Sequence, residues 1–287
     1  MSSVEPHRFA DAPSTRTACI TLDLENNWTF GGELEYLVFE HLDEFVGLVR
    51  RLDVPLSVFV VGKVLEDRPD VVRRLDAELD VEFHLHSYQH DMTGNVDIGR
   101  ELRAGTRAFE SVLGRDPAGY RAPRFILDKG DLATLSAMEF EFDSSVCPSY
   151  RPGVYNNLDA PHRPYYPAEA PDLLEIPVSV HPRLRVPMEQ SYLRLFGDPY
   201  LKLLEHSRLP KTLVYNCHLH DFFHTAAHER LGRLKRLAFT RNIENSVAVF
   251  ERFVSLLTEK GYRFRTLSEL ADDVRLREDE RVVAGLS

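Results

Sequence analysis

His86 and His90 stand four residues apart at the end of the run Val81-Glu-Phe-His-Leu-His-Ser-Tyr-Gln-His90, and imidazoles so spaced can hold a zinc-like cation. In that run Val81, Phe83 and Leu85 alternate with Glu82, His84 and His86, which puts the polar set on one face of a strand. Two other runs share the pattern. Ile20, Leu22 and Leu24 alternate with Cys19, Thr21, Asp23 and Glu25, while Leu213, Tyr215, Cys217 and Leu219 alternate with Val214, Asn216, His218 and His220. A catalytic zinc-type site needs three protein ligands and an open position for water, which two histidines and a carboxylate satisfy. Read as bracketing a strand-to-helix transition, the spacing of four brings His86 and His90 to one face. Either Asp23 or Glu25 is then the third ligand, and the other is left as general base for a polarised water.

The elements that must position these groups are strand-like runs at 18 to 25, 56 to 61, 81 to 86, 118 to 122, 140 to 144, 174 to 180, 212 to 219 and 262 to 266. Helical patterns separate most of them. The clearest are near 96 to 113, with Ile98, Leu102, Phe109 and Val112 on one stripe before Gly114, and near 242 to 259, ending at Gly261. About seven or eight strands alternating with helices predict an α/β fold, a (β/α) barrel whose active site lies at the C-terminal rim of the strands. Nine of the seventeen prolines fall between Pro148 and Pro187, a long loop system inside one domain. We expect a flexible segment at 1–16, a single barrel domain over 17–275 and a tail at 276–287.

A net charge of -10 over 287 residues opposes non-specific binding to nucleic acid and to anionic membranes. Cys19, Cys147 and Cys217 are odd in number and widely spaced, so no disulfide framework is expected. The first ten residues lack the apolar core of a secretion signal, and no run approaches the roughly 18 apolar residues of a membrane span. A cytoplasmic protein without membrane insertion is expected.

Five ordered motifs resemble those of the NodB-homology polysaccharide deacetylases, carbohydrate esterase family 4. Thr21-Leu-Asp-Leu-Glu25 is similar to the first, His86-Ser-Tyr-Gln-His90 to the His-[Ser/Thr]-x-x-His metal motif, and Arg121-Ala-Pro123 to the Arg-x-Pro motif. Asp143-Ser-Ser-Val146 resembles the fourth and Leu213 to Phe222 the last, with His218 in the catalytic histidine position. The resemblance implies a distorted NodB-like (β/α) barrel of about seven strands and a divalent metal, usually zinc, held by Glu25, His86 and His90. Asp23 is implied as general base and His218 as general acid. Arg121 would keep Asp23 ionised, and Asp143 would orient His218 and raise its pKa. The chain departs from the commoner family pattern of adjacent aspartates, since Leu24 takes the second place; Asp23 as ligand with Glu25 as base stays open.

Implied substrates are N-acetylated glycans or their intracellular sugar precursors, with Pro123, His220 and Tyr165 as substrate-binding candidates. Tyr165 lies in the aromatic segment 155–166, which reads as a sugar-binding wall or a stiff connection. His84 reads as a core residue or a hydrogen-bond partner beneath the site. Arg230, Arg233, Lys235, Arg236 and Arg241 read as a solvated helix face or as contacts for the phosphate of a nucleotide- or lipid-linked sugar. The rival readings are a ureide or cyclic-amide hydrolase of allantoinase type and an inactive sugar-binding protein on the same scaffold.

Overall fold

The computed structural model describes residues 7–10, 13, 15–27, 36–91 and 97–283. Its strands are β1 (Arg8–Phe9), β2 (Thr17–Leu24), β3 (Leu56–Val60), β4 (Val81–Leu85), β5 (Gly119–Tyr120), β6 (Phe142–Asp143), β7 (Tyr150–Arg151), β8 (Tyr155–Asn156), β9 (Tyr165–Tyr166), β10 (Leu174–Glu175), β11 (Thr212–His218) and β12 (Arg263–Phe264). The helices are α1 (Leu42–Leu52), α2 (Gly62–Asp67), α3 (Pro69–Glu78), α4 (Ile98–Leu113), α5 (Lys129–Ala137), α6 (Gln190–Phe196), α7 (Asp198–Glu205), α8 (Ala226–Glu229), α9 (Arg233–Thr240), α10 (Ser246–Glu259) and α11 (Leu267–Val283).

The main sheet runs β10-β6-β5-β4-β3-β2-β11 with every neighbouring pair parallel, and β12 pairs with the first two residues of β2. Each of the eight strand-like runs contains one of these strands, because apolar alternation and bounding turn residues mark them all. The named strands do not close into a continuous ladder. Across the seam between β10 and β11 the chain after β10 returns, and Ser179 N donates to Val214 O at 2.9 Å. The result is the expected barrel-like α/β fold, distorted on that side.

Side-chain parity divides the strands into two faces. The outer face, with Ile20, Leu22, Val58, Phe83 and Tyr215, packs on the helices in the largest apolar cluster. The inner face is apolar at the bottom, where Cys19, Phe59, Phe142 and Val214 meet Leu267, Leu270 and Val274 of α11. Helix α11 is a floor. Its first turn is tied to the strands by Leu267 N donating to Ser57 Oγ and Glu82 Oε1, both at 2.8 Å. With the bottom plugged, the polar ends of β2, β4 and β11 open only at the top.

Helix α4 begins at an Asp97 cap, whose carboxylate accepts from Arg100 N at 3.0 Å, and ends at Gly114, whose φ of 69° suits glycine. The last turn-helix unit spans 243–259 as expected, its first three residues forming a 3-10 turn before α10.

Two expectations about the ends are modified. β1 pairs antiparallel with β9, so Arg8 and Phe9 are tied to the domain instead of belonging wholly to a loose segment. The boundary at 275 falls inside α11, because the helix continues past it to Val283. The remainder of those terminal segments, at 1–6, 11–12, 14 and 284–287, lies outside the described residues. Cys19, Cys147 and Cys217 are all buried and free.

Candidate active site

The top of the inner face forms a cavity of about 250 Å³ lined by Asp23, Glu25, His86, His90, His218 and His220, among others. Three strands supply these groups by alternation: β2 carries Asp23 one residue before its end and leads to Glu25, β4 leads to His86, and β11 ends in His218. Asp23 and Glu25 are 3% and 6% exposed, so they are carboxylates held away from bulk water.

Burial acts to raise the pKa of Asp23, yet its carboxyl is held below the usual range by the charges of Arg121, His86 and His218. Arg121 is fully buried, stacked 4.0 Å above the Phe59 ring, and its Nη1 donates to Asp23 Oδ1 at 2.8 Å. The same Nη1 reaches Thr21 Oγ1 and Asn216 Oδ1, while Nε and Nη2 are spent on Ser144. Asn216 Nδ2 donates to the other oxygen, Asp23 Oδ2, at 3.0 Å. Asp23 is thus fixed on both oxygens.

Glu25 is held well below the usual carboxylate range, with His90 and His86 overcoming the upward push of burial. Its Oε2 lies 2.6 Å from His90 Nε2 and 3.7 Å from His86 Nε2. His86 Nδ1 lies 2.8 Å from the Arg121 carbonyl oxygen. A carbonyl only accepts, so Nδ1 carries a proton, and Nε2 is the ring nitrogen that faces Glu25. One donor atom from each of Glu25, His86 and His90 falls within 4.8 Å of the others. The set of two imidazoles and a carboxylate fits a divalent cation, as does the outer hydrogen bond that fixes the tautomer.

The route by which His90 reaches His86 differs from the strand-to-helix reading. Residues 86–91 are irregular, with Ser87 at φ 62° and His90 at φ 54°, and α4 starts only at Ile98. Glu101 of α4 holds this loop: its Oε2 accepts from Ser87 Oγ, Tyr88 N and Gln89 N at 2.8, 3.1 and 2.9 Å. Left-handed backbone disfavours residues with side chains, so a buried acceptor of three donors is what over-determines it.

His218 Nε2 lies 3.5 Å from Asp23 Oδ2, and its Nδ1 donates to Asp221 Oδ2 at 3.0 Å. Burial acts downward on His218, but the Asp221 hydrogen bond and the charges of Glu25, Asp221 and Asp23 raise its pKa to about 10. The partner expected from the sequence was Asp143, and this is corrected. Asp143 sits on β6, four strands along the sheet from β2, where Ser145 Oγ donates to it and Glu175 is its register neighbour. Asp221 takes the role because an i,i+3 turn after β11 folds it back on His218.

His220 lines the cavity, its Nδ1 3.8 Å from Glu25 Oε1. Pro123 and Tyr165 do not line it. Pro123 starts a 3-10 turn whose left-handed Arg124 and Phe125 are the residues that reach the cavity wall. Tyr165 is buried on β9 against His7, because β9 is tied between β1 and β10 on the far side of the sheet. His84 is a core residue, its Nε2 2.8 Å from Glu82 Oε1 and its ring against Phe142 and Phe59. Of the basic group, Arg233, Lys235 and Arg236 lie on α9, none of whose residues is buried, while Ala238 and Phe239 of the same helix reach the cavity.

Glu101 and Glu189 have no signal in the sequence, while Asn216 reads there only as part of a polar strand face and Asp221 only as a substrate contact or rim polarity. Asn216 shares the strand parity of His218, and Asp221 carries the i,i+3 spacing. Glu101 and Glu189 come from separate elements with no spacing signal. Glu189 is a buried cavity-wall acid that desolvation pushes to about 7.

Residues 29–142 match the model of the polysaccharide deacetylase family. No curated protein matches the chain. Among solved structures, it is similar to a Mycobacterium smegmatis protein assigned as a polysaccharide deacetylase, with 17% identity, 96% of each chain covered and a TM-score of 0.60. It is likewise similar to the PuuE allantoinase, with 16% identity, 90% of each chain covered and a TM-score of 0.61. A CE4 family pseudoenzyme from Bacillus anthracis shares 11% identity over 92% of this chain and 68% of its own, with a TM-score of 0.54.

Proposed function

We propose that this chain, whose residues 29–142 match the polysaccharide deacetylase family model, is a divalent-metal-dependent hydrolase of that family removing N-acetyl groups from amino sugars. The observation that carries this reading is that Asp23 and His218 lie 3.5 Å apart in the cavity that the Glu25, His86 and His90 donor set also lines. A bound cation, zinc by preference of this donor set, would polarise the acyl carbonyl and acidify the attacking water.

The remaining chemistry belongs to the chain. Asp23, kept ionised by Arg121 and oriented by Asn216, accepts the proton of the attacking water. His218 bears a proton on Nε2 while Asp221 holds Nδ1, and it passes that proton to the departing amine, giving acetate and a free amino sugar. Phe125 and Tyr192, which also line the cavity, are the aromatic residues available to a sugar ring. Three free buried thiols support a reducing compartment, and with it a cytoplasmic step on a glycan precursor.

Acetate release from a panel of N-acetylated glycans and sugar nucleotides, with zinc or cobalt added back to chelator-treated protein, tests this. Release that depends on the metal is expected. Metal-dependent opening of allantoin-type ureides without acetate release would favour the second hydrolase reading, for which Glu25 in place of the family's aspartate speaks. Absence of any turnover with metal bound would leave the sugar-binding reading.

A further inference from the structure

The two oxygens of Glu25 face different histidines. Oε2 is turned to His90 and His86, whereas Oε1 lies 3.8 Å from His220 Nδ1. A second donor group is closed by His218, and one donor atom from each of Glu25, His218 and His220 falls within 4.8 Å of the others. The His218 and His220 rings are stacked, with centroids 4.6 Å apart and planes 20° from parallel. His218 Nδ1 is taken by Asp221, which leaves Nε2 as its ligating atom.

We propose that Glu25, His218 and His220 form a second divalent-cation site that shares Glu25, as a bridging carboxylate, with the Glu25, His86 and His90 site. Two imidazoles and a carboxylate are again the donors that zinc-like ions take. The inference rests on the metal-site reading above, and its consequence is regulatory. A cation on His218 Nε2 occupies the nitrogen that must hand a proton to the leaving amine, so filling the second site stops turnover. The second site is also the weaker, because its carboxylate is already engaged by the first cation.

Titration calorimetry of the metal-stripped full chain with zinc chloride, in the absence of substrate, tests the proposal, with the visible absorption of added cobalt(II) as a second readout. Wild type is expected to take two equivalents, the second binding roughly tenfold or more weakly. His220→Asn and His220→Ala are expected to take one, with two-step cobalt spectra reduced to a single step and folding verified by circular dichroism. Zinc beyond the first equivalent is expected to inhibit wild type. A single equivalent in wild type at millimolar zinc, or two equivalents in both variants, overturns the second site and leaves the first standing. No bound zinc overturns both.

Discussion

Two carboxylate pairs sit at the inner rim of the same sheet, equally buried, and behave in opposite ways. Asp23 and Glu25, two residues apart across the end of β2, are both held ionised. Asp143 and Glu175, side by side in the register of β6 and β10, are both pushed upward by desolvation, Glu175 furthest. The difference lies in their partners. The first pair is enclosed by Arg121, His86, His90 and His218, and every approach brings a cation or a donor. Among the described residues, Asp143 Oδ2 and Glu175 Oε2 meet no donor, so a proton held between them satisfies both. Arg121 stands between the pairs, but its N–H groups are committed to Asp23, Thr21, Asn216 and Ser144. Burial alone therefore does not make a reactive carboxylate; it makes a neutral one unless charge is brought to it.

Neutralising one member of each pair separates the two environments most widely. Asp23→Asn is expected to lower kcat/KM for acetate release by about 10³-fold, while Asp143→Asn lowers it less than about tenfold. Equal losses in both would erase the distinction. Next in size is Asp221→Asn, expected to lower kcat about 10²-fold. Since Asp221 raises the pKa of His218, its loss should also move the alkaline limb of the pH–kcat profile to lower pH. An unmoved limb would show that Asp221 serves only to cap the turn.

The smallest effect concerns stability. The folded pKa of Glu175 lies above its unfolded value, so its contribution is fully present below the ordinary glutamate range and is lost as pH rises toward the folded value. Glu175→Gln removes that loss and can still accept from Val146 N, as Glu175 Oε1 does at 3.0 Å. Its melting temperature should match wild type near pH 4 and exceed it by roughly 3 °C at pH 8. A constant difference across that range would mean that the pair does not share a proton.

The regions legible in sequence are those governed by period-two alternation. It placed Asp23, His86 and His218 on one inner face because a strand has only two faces. The donor Glu25 follows from the same parity, one residue past β2. Alternation says nothing about chain that leaves the strand, and there the reading failed or was incomplete. Asp143 has the right parity, but its carboxylate is engaged by Ser145 and Glu175, a choice of partner that no local pattern encodes. Tyr165 belongs to the proline-rich stretch, whose short strands turn back along the sheet and away from the cavity. Asp221 was visible as a residue but not as the partner of His218, because that depends on a turn of one residue pair.

The clamp that Glu101 places on the loop from Ser87 to Gln89 also bears on how a cation is acquired. Donors carried by a loop of this kind would ordinarily be ordered by the ion itself, with binding and local folding measured as one event. Here three hydrogen bonds from a helix have fixed the loop beforehand. An arriving ion has little left to organise, and its departure releases little. Amide exchange at 86–90 should accordingly follow the opening of α4 rather than metal occupancy, and zinc should enter and leave at rates set by dehydration of the ion and access through the cavity mouth.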